Sequence, residues 1–392
     1  MTPRSLTKPI RLTNSIFLTS TAVLTLTAVP AYLWNFGIDW FQVALFISLF
    51  IATGLSITLG YHRLFSHLSF KAKWPVRLST LVFGAATFEN SALSWCGDHR
   101  NHHKHVDHDK DPYNISNGFF HAHMGWIMFK HQPEPDFENV KDLAQDPLVM
   151  WQHRNYLLIA ILTGFLLPTV LGFLWNGWAG ALGGFLIGGV ARVVAVHHMT
   201  FCINSFCHFI GSQPYSTNHS ARDSAIMALF TFGEGYHNFH HEFQSDYRNG
   251  VKAWQFDPTK WTIWCLNKIG LASDLRRVPE ERILRAQINE HQRAIAKRID
   301  LHSLELPESL QQLWHSAHHR VQTALSHWED QKKLYTQAAK KQVTESGKRL
   351  EEMGHRVSEA TQQLRTALDE WKQAQREIHS QLSALVNATA SA

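Results

Sequence analysis

The sequence predicts an all-α polytopic membrane protein, with four transmembrane helices under a cytosolic helical cap that holds a histidine-rich dimetal site. Three observations carry this reading. Charge-free apolar runs fall at 12–38, 40–61 and 155–191, each long enough to cross a bilayer at 1.5 Å per residue. Nine histidines and one asparagine recur in four clusters beside those runs. From about residue 280 the composition turns polar and helix-favouring. The boundaries that follow are 1–279 for the membrane domain with its cap and 280–392 for a C-terminal extension.

Residues 1–11 are polar and carry Arg4, Lys8 and Arg11. A helix from about Asn14 to Trp34 would span a hydrocarbon core of about 30 Å. This run is too long for a signal-peptide core, so it reads as a span. A short NFGID turn leads to the second span, Trp40–Tyr61, and Trp34 and Trp40 flank the turn as interfacial aromatics. The stretch Trp74–Trp95 is apolar but interrupted by Arg77 and Glu89. It reads as a helix at the interface or packed beneath the histidine clusters. Residues 98–153, rich in His and Asp with Pro and Asn breaks, read as a soluble-side loop with short helices.

The run 155–191 is too long for one span. Trp175-Asn176-Gly177-Trp178 is a turn signal between aromatics, which divides it into spans at about 156–175 and 178–201. Gly180, Gly183, Gly184, Gly188 and Gly189 on the fourth span permit close helix contact. Arg192 falls near its far end. Two hairpins then return the chain to its starting side, so the N-terminus, the 62–154 loop and everything after 202 share one face. That face holds Arg4, Lys8, Arg11, Arg63, Lys71 and Lys73, while the opposite turns hold no Lys or Arg. The positive-inside rule makes it cytoplasmic.

A net charge of +5 fits contact with an anionic membrane surface or an acidic substrate head group. No aromatic–basic binding motif points to nucleic acid. The four cysteines show no CxxC spacing and read as reduced, small packing residues. In the extension, apolar positions Leu310, Trp314, Ala317, Val321, Ala324 and Trp328 alternate by three and four. So do Leu350, Met353, Val357, Ala360, Leu364, Ala367, Trp371, Ala374 and Ile378. This is the rhythm of a coiled-coil seam, and it suggests either oligomerisation through these helices or an amphipathic fold-back.

The chemistry lies in the four clusters: His62 and His67 in GYHRLFSH; His99, His102 and His103 in DHRNHH; Asn204 and His208 in NSFCH; His237, His240 and His241 in GYHNFHH. Positions i, i+3 and i+4 of a helix share a face, and the second and fourth clusters repeat the spacing HxxHH. One buried histidine is usually a satisfied polar residue. This many without partners would cost a few kcal/mol each. Imidazole suits iron, zinc, copper or nickel, and nine donors are too many for one ion. Zinc sites use about four ligands. Neutral nitrogen donors around two irons leave a strongly positive centre, suited to activating O2 at a saturated C–H bond. Asp98, Asp107, Asp109, Asp111, Glu234 and Asp246 are candidates to orient the rings. His105, His108, His121, His123, His197 and His198 sit outside the repeated spacing and are left out of the ligand set.

The strings GYHRLFSH, WCGDHRNHHKHVDHDKDPYN, GFFHAHMGW, TFCINSFCHFIG and GEGYHNFHHEF resemble the membrane fatty acyl desaturases, stearoyl-CoA desaturase-like (acyl-CoA delta-9 desaturase), of bacterial type. The likeness runs from about residue 14 to 275. It implies a di-iron enzyme on four membrane helices, in a bacterial inner membrane, with its active site and termini cytoplasmic. Such an enzyme uses O2 and two electrons to form a cis double bond, delta-9 in this type, in a long saturated acyl thioester, acyl-CoA first. By the resemblance, the nine histidines hold two iron ions, Asn204 holds a metal-bound water, and Trp95 and Thr200 line the bend of the acyl tunnel. Gly97 stands where animal acyl-CoA enzymes have an arginine that contacts the CoA portion, which leaves acyl carrier protein or a whole lipid as other carriers. Phe46 and Phe50 lie on the second span, where the tunnel floor is expected. No HPGG haem motif and no cysteine set for an iron–sulfur centre occurs here. Electrons are therefore expected from a separate ferredoxin, rubredoxin or cytochrome. A fatty acyl hydroxylase would share the metal site and differ in product. A transporter would need polar residues within several spans, and a purely structural role would leave the clusters unexplained.

Overall fold

In hydrocarbon a charge-free segment satisfies its own backbone only as a helix, and the long apolar runs are helical. The computed structural model describes residues 9–129, 137–301, 307–341 and 347–391; Arg4 and Lys8 lie outside them. Helices α1 (Leu12–Phe36) and α2 (Trp40–Ser66) are long and apolar enough to cross a membrane. Asp39 starts α2 with a capping box: its carboxylate accepts the Gln42 N–H at 2.9 Å, and the Gln42 side chain lies 3.5 Å from the Asp39 N–H. Gln42 also donates to the Tyr32 hydroxyl at 2.5 Å, which donates to the Ala179 carbonyl at 3.1 Å. The polar groups of three apolar helices thus satisfy one another.

The next long apolar helix is α5 (Tyr156–His208), so three helices meet the length and composition of a span where the sequence suggested four. The difference is the continuity of α5, whose 53 residues would run about 80 Å if straight. It is not straight: Asn176 (φ −146°, ψ 43°) and Gly177 (φ 55°, ψ −143°) are non-helical, at the turn read from the sequence. The arms 156–175 and 178–204 fold against each other. Gly172 faces Gly180, and a Cβ added at Gly184 would run into the Pro168 carbonyl. The glycines are therefore what lets these backbones approach.

The stretch 74–95 is not one helix. α3 (Trp74–Ala85) ends in a turn in which Phe88 (φ 61°) and Asn90 (φ 83°) take left-handed backbone. α4 (Ala92–His105) then starts from Ser91, whose hydroxyl accepts the Ser94 N–H at 3.3 Å. Trp95 and the polar stretch 98–105 therefore share one helix, and the loop expected from 98 starts later. α3 packs beneath α2, with Gly60 against Thr80 and Gly84 against Tyr61. The turn is held from α5. Arg192, buried in the second arm, donates to the carbonyls of Ala86 (2.7 Å), Gly164 (2.9 Å) and Gly188 (3.2 Å). His197 Nε2 lies 2.7 Å from the Thr87 carbonyl. Arg63, counted above among the surface basic residues, is fully buried at the end of α2.

The cap adds α6 (His237–Glu242) and α7 (Pro258–Lys268), with Ile263 of α7 buried in a core of Ile57, Tyr61, Leu81, Leu93 and Cys96. A two-residue antiparallel pair, Lys71–Ala72 with Ala272–Ser273, is the departure from an all-helical fold among the described residues.

Pro279–Ala392 forms a second compact unit of α8 (Glu280–Leu301), α9 (Glu308–Lys341) and α10 (Gly347–Ser391). The two apolar rows meet each other. Trp314 packs with Ile378, and the Trp328 indole donates to Thr361 at 3.0 Å, so α9 and α10 run antiparallel. Ile288 of α8 completes a core with Ala317, Val321, Leu325, Leu364 and Trp371. Leu325 is buried there and Ala324 only partly. The heptad seam is closed within the chain and needs no second copy to bury it.

Because the α5 arms meet through backbone at Gly184, Gly184→Ala should destabilise the protein by about 1–3 kcal/mol. A lower thermal unfolding midpoint in detergent would show it, and an unchanged midpoint would mean that the arms are not in backbone contact.

Candidate metal centre

His62 and His67 are five residues apart, which on an α-helix puts side chains about 140° apart. The end of α2 removes that obstacle by widening to i→i+5 hydrogen bonds, His67 N–H to the His62 carbonyl at 3.1 Å. The two rings then lie 4.8 Å apart, centre to centre. Each HxxHH box straddles two groups. On α4, His99 and His103 (i, i+4) go to one and His102 to the other. On α6 the sense is reversed: His237 and His241 go to the second group and His240 to the first.

The result is two buried clusters, His62/His67/His99/His103/His240 and His102/His208/His237/His241, with the ligand atoms of each within 4.8 Å of one another. The Nε2 atoms converge. In the first cluster His62–His240 is 2.9 Å, His67–His99 2.8 Å and His103–His240 3.0 Å. In the second, His208–His237 is 3.1 Å, His237–His241 3.1 Å and His102–His241 3.3 Å. His103 and His241 stack between the clusters with centroids 4.3 Å apart. Nitrogens bound about 2.1 Å from one ion at near-right angles sit about 3.0 Å apart, so the donor set fits one cation per cluster.

The second nitrogens are held from behind. His62 Nδ1 is 3.0 Å from Glu234 and His102 Nδ1 is 2.8 Å from Asp111. His99 Nδ1 is 3.2 Å from the Tyr113 hydroxyl. His208 Nδ1 is 2.7 Å from the Ser220 hydroxyl, which donates to Asp107 at 2.5 Å. A Nδ1–H aimed at an acceptor leaves the Nε2 lone pair for the centre. Burial first, then the neighbouring imidazoles, pushes His67, His99, His103, His237, His240 and His241 well below the usual histidine range. They stay neutral donors at ordinary pH.

Behind His62, Arg63 donates to Glu234 (2.9 Å), Asp257 (3.1 Å) and the Tyr247 carbonyl (2.8 Å), and Asn249 donates to Glu234 at 2.6 Å. Burial alone would raise the Glu234 carboxyl, but His62 and Arg63 hold it below the usual range. One guanidinium against two carboxylates leaves a net negative charge facing His62, which a bound cation would balance.

Beside the first cluster lies a cavity of ≈ 280 Å³. Trp95 forms part of its wall and stacks on His99 with centroids 4.9 Å apart. Thr200 and Asn204 line it from α5, and Phe17, Leu18, Phe88 and Phe201 supply apolar surface. Glu89, also in the wall, accepts from Thr200 Oγ1 at 2.9 Å and Trp95 Nε1 at 3.3 Å. Asp98 and Arg11 share the cavity, and burial pushes the Asp98 carboxyl up to about 6.

All nine histidines named from the sequence are thus brought together. Trp95, Thr200 and Asn204 reach the cavity. Phe46 and Phe50 are not among the residues lining it: they stack on each other (6.0 Å), Phe50 also against Phe232 (5.6 Å), and Phe46 packs against Tyr32, Leu186 and Ile187. His197 and His198 stay outside the clusters; His198 lies 3.0 Å from His123. Among the candidate carboxylates, Asp111 and Glu234 reach ligand rings, Asp107 does so through Ser220, and Asp246 pairs with Arg248. Sequence reasoning missed Tyr113, Ser220, Arg63, Asp257 and the bridging role of Glu89. None carries a periodic signal, and only the buried charge of Arg63 within a span could have flagged it. None of the free cysteines joins a cluster.

Residues 8–263 match the family model described as "Fatty acid desaturase". "Acyl-CoA desaturase 1" of Saccharomyces cerevisiae is 41% identical over 69% of this chain and 54% of that protein. "Probable acyl-CoA desaturase" of Schizosaccharomyces pombe is 45% identical over 62% of this chain and 50% of its own length. "Delta(9)-fatty-acid desaturase fat-6" of Caenorhabditis elegans is 34% identical over 67% of this chain and 78% of that protein. The chain spans about half the length of the two yeast relatives it matches. These relatives are eukaryotic, so the bacterial type read from the sequence is not borne out.

Asp111→Asn removes the charge that orients His102. It should lower metal affinity about 10–100-fold, measured by chelator competition; unchanged affinity would separate Asp111 from the centre.

Proposed function

The chain belongs to the fatty acid desaturase family, and from that premise we propose that it is an O2-dependent desaturase of long saturated acyl thioesters, acyl-CoA first, forming a cis double bond at delta-9. The observation that carries this is the single indole, Trp95, between the apolar cavity and a ring of the first histidine cluster. A chain lying in that cavity runs past the metal centre. The names of the relatives favour this reading over a hydroxylase.

Two irons suit the two clusters, five imidazoles at one and four at the other. Asn204, the last residue of the α-helical arm and four before His208, is the residue we assign to a water at the four-histidine site. Iron held in the two clusters would supply the oxidising power: the chain would lose two hydrogens while O2, with two electrons and two protons from outside, is reduced to two waters. The chain's own residues do the rest. The wall of Trp95, Thr200 and Glu89 fixes which C–C bond lies beside the first cluster. Phe17, Leu18 and Phe88 exclude water from the chain. Arg11 and Asp98 offer polar contacts to the head group. We assign the two electrons to a separate donor, a ferredoxin, rubredoxin or cytochrome.

Four spans are the proposed membrane topology. The break at Asn176–Gly177, between Trp175 and Trp178, supports it, because neither arm alone exceeds a bilayer. The clusters and both termini then share the cytoplasmic side, on which Arg11, Lys71 and Lys73 lie. Residues 1–279 are assigned the catalysis and 280–392 an accessory role as a helical bundle.

His240 belongs to the first cluster alone. His240→Ala should lower iron from two per chain toward one and abolish alkene formation, read by metal analysis and gas chromatography of the lipids. Full activity, or a hydroxylated product from the wild type, would sink the reading.

A further inference from the structure

Glu89 shapes the cavity wall, but its ionisable carboxyl has no use of its own in the proposed reaction. It sits in the turn between α3 and α4, flanked by the left-handed residues Phe88 and Asn90. Arg192 and His197 clamp that turn through the Ala86 and Thr87 carbonyls, and the Tyr156 hydroxyl accepts the Asn90 N–H at 3.1 Å. The carboxyl is therefore delivered to one place. There it bridges Trp95 of α4 and Thr200 of α5, the two side chains that form the wall beside the first cluster.

Nothing neutralises it. Among the described residues no cation forms an ion pair with Glu89. The groups facing it are the phenols of Tyr61 from α2 and Tyr156 from the first arm of α5. Across the cavity lie Asp98 from α4, Arg11 from the N-terminal segment, and His197 from the second arm of α5. The guanidinium of Arg192 is committed to three carbonyls.

We propose that Glu89 is a positioning residue whose protonation decides whether the cavity accepts an acyl chain. Neutral, it carries no charge to hydrate and the wall stays dry, with the Trp95–Thr200 bridge needing only one of its oxygens as acceptor and its own O–H as donor. Ionised, it places an unpaired charge against Phe17, Leu18 and Phe88 and holds water where the chain would lie. The inference rests on the reading of the cavity as the acyl site.

The sign follows from the direction of the shift. Burial pushes the Glu89 carboxyl up to about 8, against the hydrogen bonds from Thr200 and Trp95, which act downward. The competent neutral form thus predominates near pH 7 and is lost as pH rises through that value. Cations bound behind the Trp95–His99 stack would move the midpoint down and leave the sign unchanged. Apparent affinity scales with the competent fraction, so the Kd for an acyl ligand should rise about tenfold between pH 7 and pH 9.

The test is equilibrium binding of radiolabelled stearoyl-coenzyme A to the full chain in detergent across that range, with Glu89→Gln and Thr200→Val alongside. The wild-type Kd should climb, and the Glu89→Gln curve should be flat. Thr200→Val should shift the rise to higher pH, because it removes a donor that favours the carboxylate. A wild-type Kd constant from pH 7 to pH 9, the same rise in Glu89→Gln, or no saturable binding at any pH would overturn the proposal. Alkene formation by iron-loaded protein at pH 7 separates the two claims. Alkene with matching wild-type and Glu89→Gln curves sinks only the role of Glu89. Absent alkene sinks the desaturase reading and leaves the curves to judge the cavity.

Discussion

Nine imidazoles converging in a buried volume is the constraint on which the rest of this structure depends. Rings facing each other nitrogen to nitrogen gain little among themselves, and for His67, His99, His103, His208, His237, His240 and His241 protonation is opposed by burial and by the neighbouring rings. The folded chain therefore has to fix each ring from its outer nitrogen. That explains the shell of acceptors around the clusters: Glu234 behind His62, Asp111 behind His102, and Ser220 with Asp107 behind His208. Arg63 explains itself in the same terms. Fully buried at the end of an apolar helix, it makes two interior carboxylates tolerable, one of which orients a ligand.

The membrane helices serve this arrangement by rigidity. The α5 arms approach through glycine backbone, and Arg192 ties the second arm to the end of α3 and to the first arm at once. A cation bound by three carbonyls needs no carboxylate: Ala86 ends α3, where exposed carbonyls carry partial negative charge, and Gly164 and Gly188 lie in widened stretches of the two α5 arms. The clamp fixes the turn before α4, and α4 carries three of the nine histidines. Strain in that turn, two non-glycine residues in the left-handed region, is sustained by contacts from α5 rather than by local preference.

What the sequence disclosed depended on whether the signal was periodic. The HxxHH spacing announced both α4 and α6 as ligand helices because a shared helical face is a local property. The division of each box between two clusters was not visible, since it depends on how α4 and α6 face each other. His62 and His67 were legible as ligands by company, not by geometry; only the widened turn makes five-residue spacing work. The WNGW turn was readable from its residues, whereas the break at 86–91 was not, because its cause is a tertiary clamp. Phe46 and Phe50 were placed by analogy with a tunnel floor; they stack on each other, Phe50 also on Phe232, and neither lines the cavity beside Trp95. In the extension, the heptad rows were read correctly as a seam. Which helix fills a seam is beyond what a seven-residue period can specify.

The register between ligands and cavity explains why binding and chemistry are coupled. On α4, Trp95 stands four residues before His99; on α5, Thr200 and Asn204 stand eight and four residues before His208. On α4 four residues is about one turn, so Trp95 lies on the same face as His99 and about 6 Å along the axis from it; on α5 the α-helical hydrogen bonding ends at Asn204 and His208 follows in a tighter turn. Two helices thus present the same order, wall and then metal, from one side of the cavity. The carboxyl of Glu89 joins the two helices at the level of Trp95 and Thr200, and the second cluster joins them again where His102 of α4 and His208 at the end of α5 meet, with ring centroids 5.2 Å apart. A displacement of α4 relative to α5 would therefore open the wall and spread the clusters together. Neither the cavity shape nor the ligand spacing can drift alone, which is the condition that the proposed reaction sets for holding one C–C bond of a featureless chain against a fixed centre.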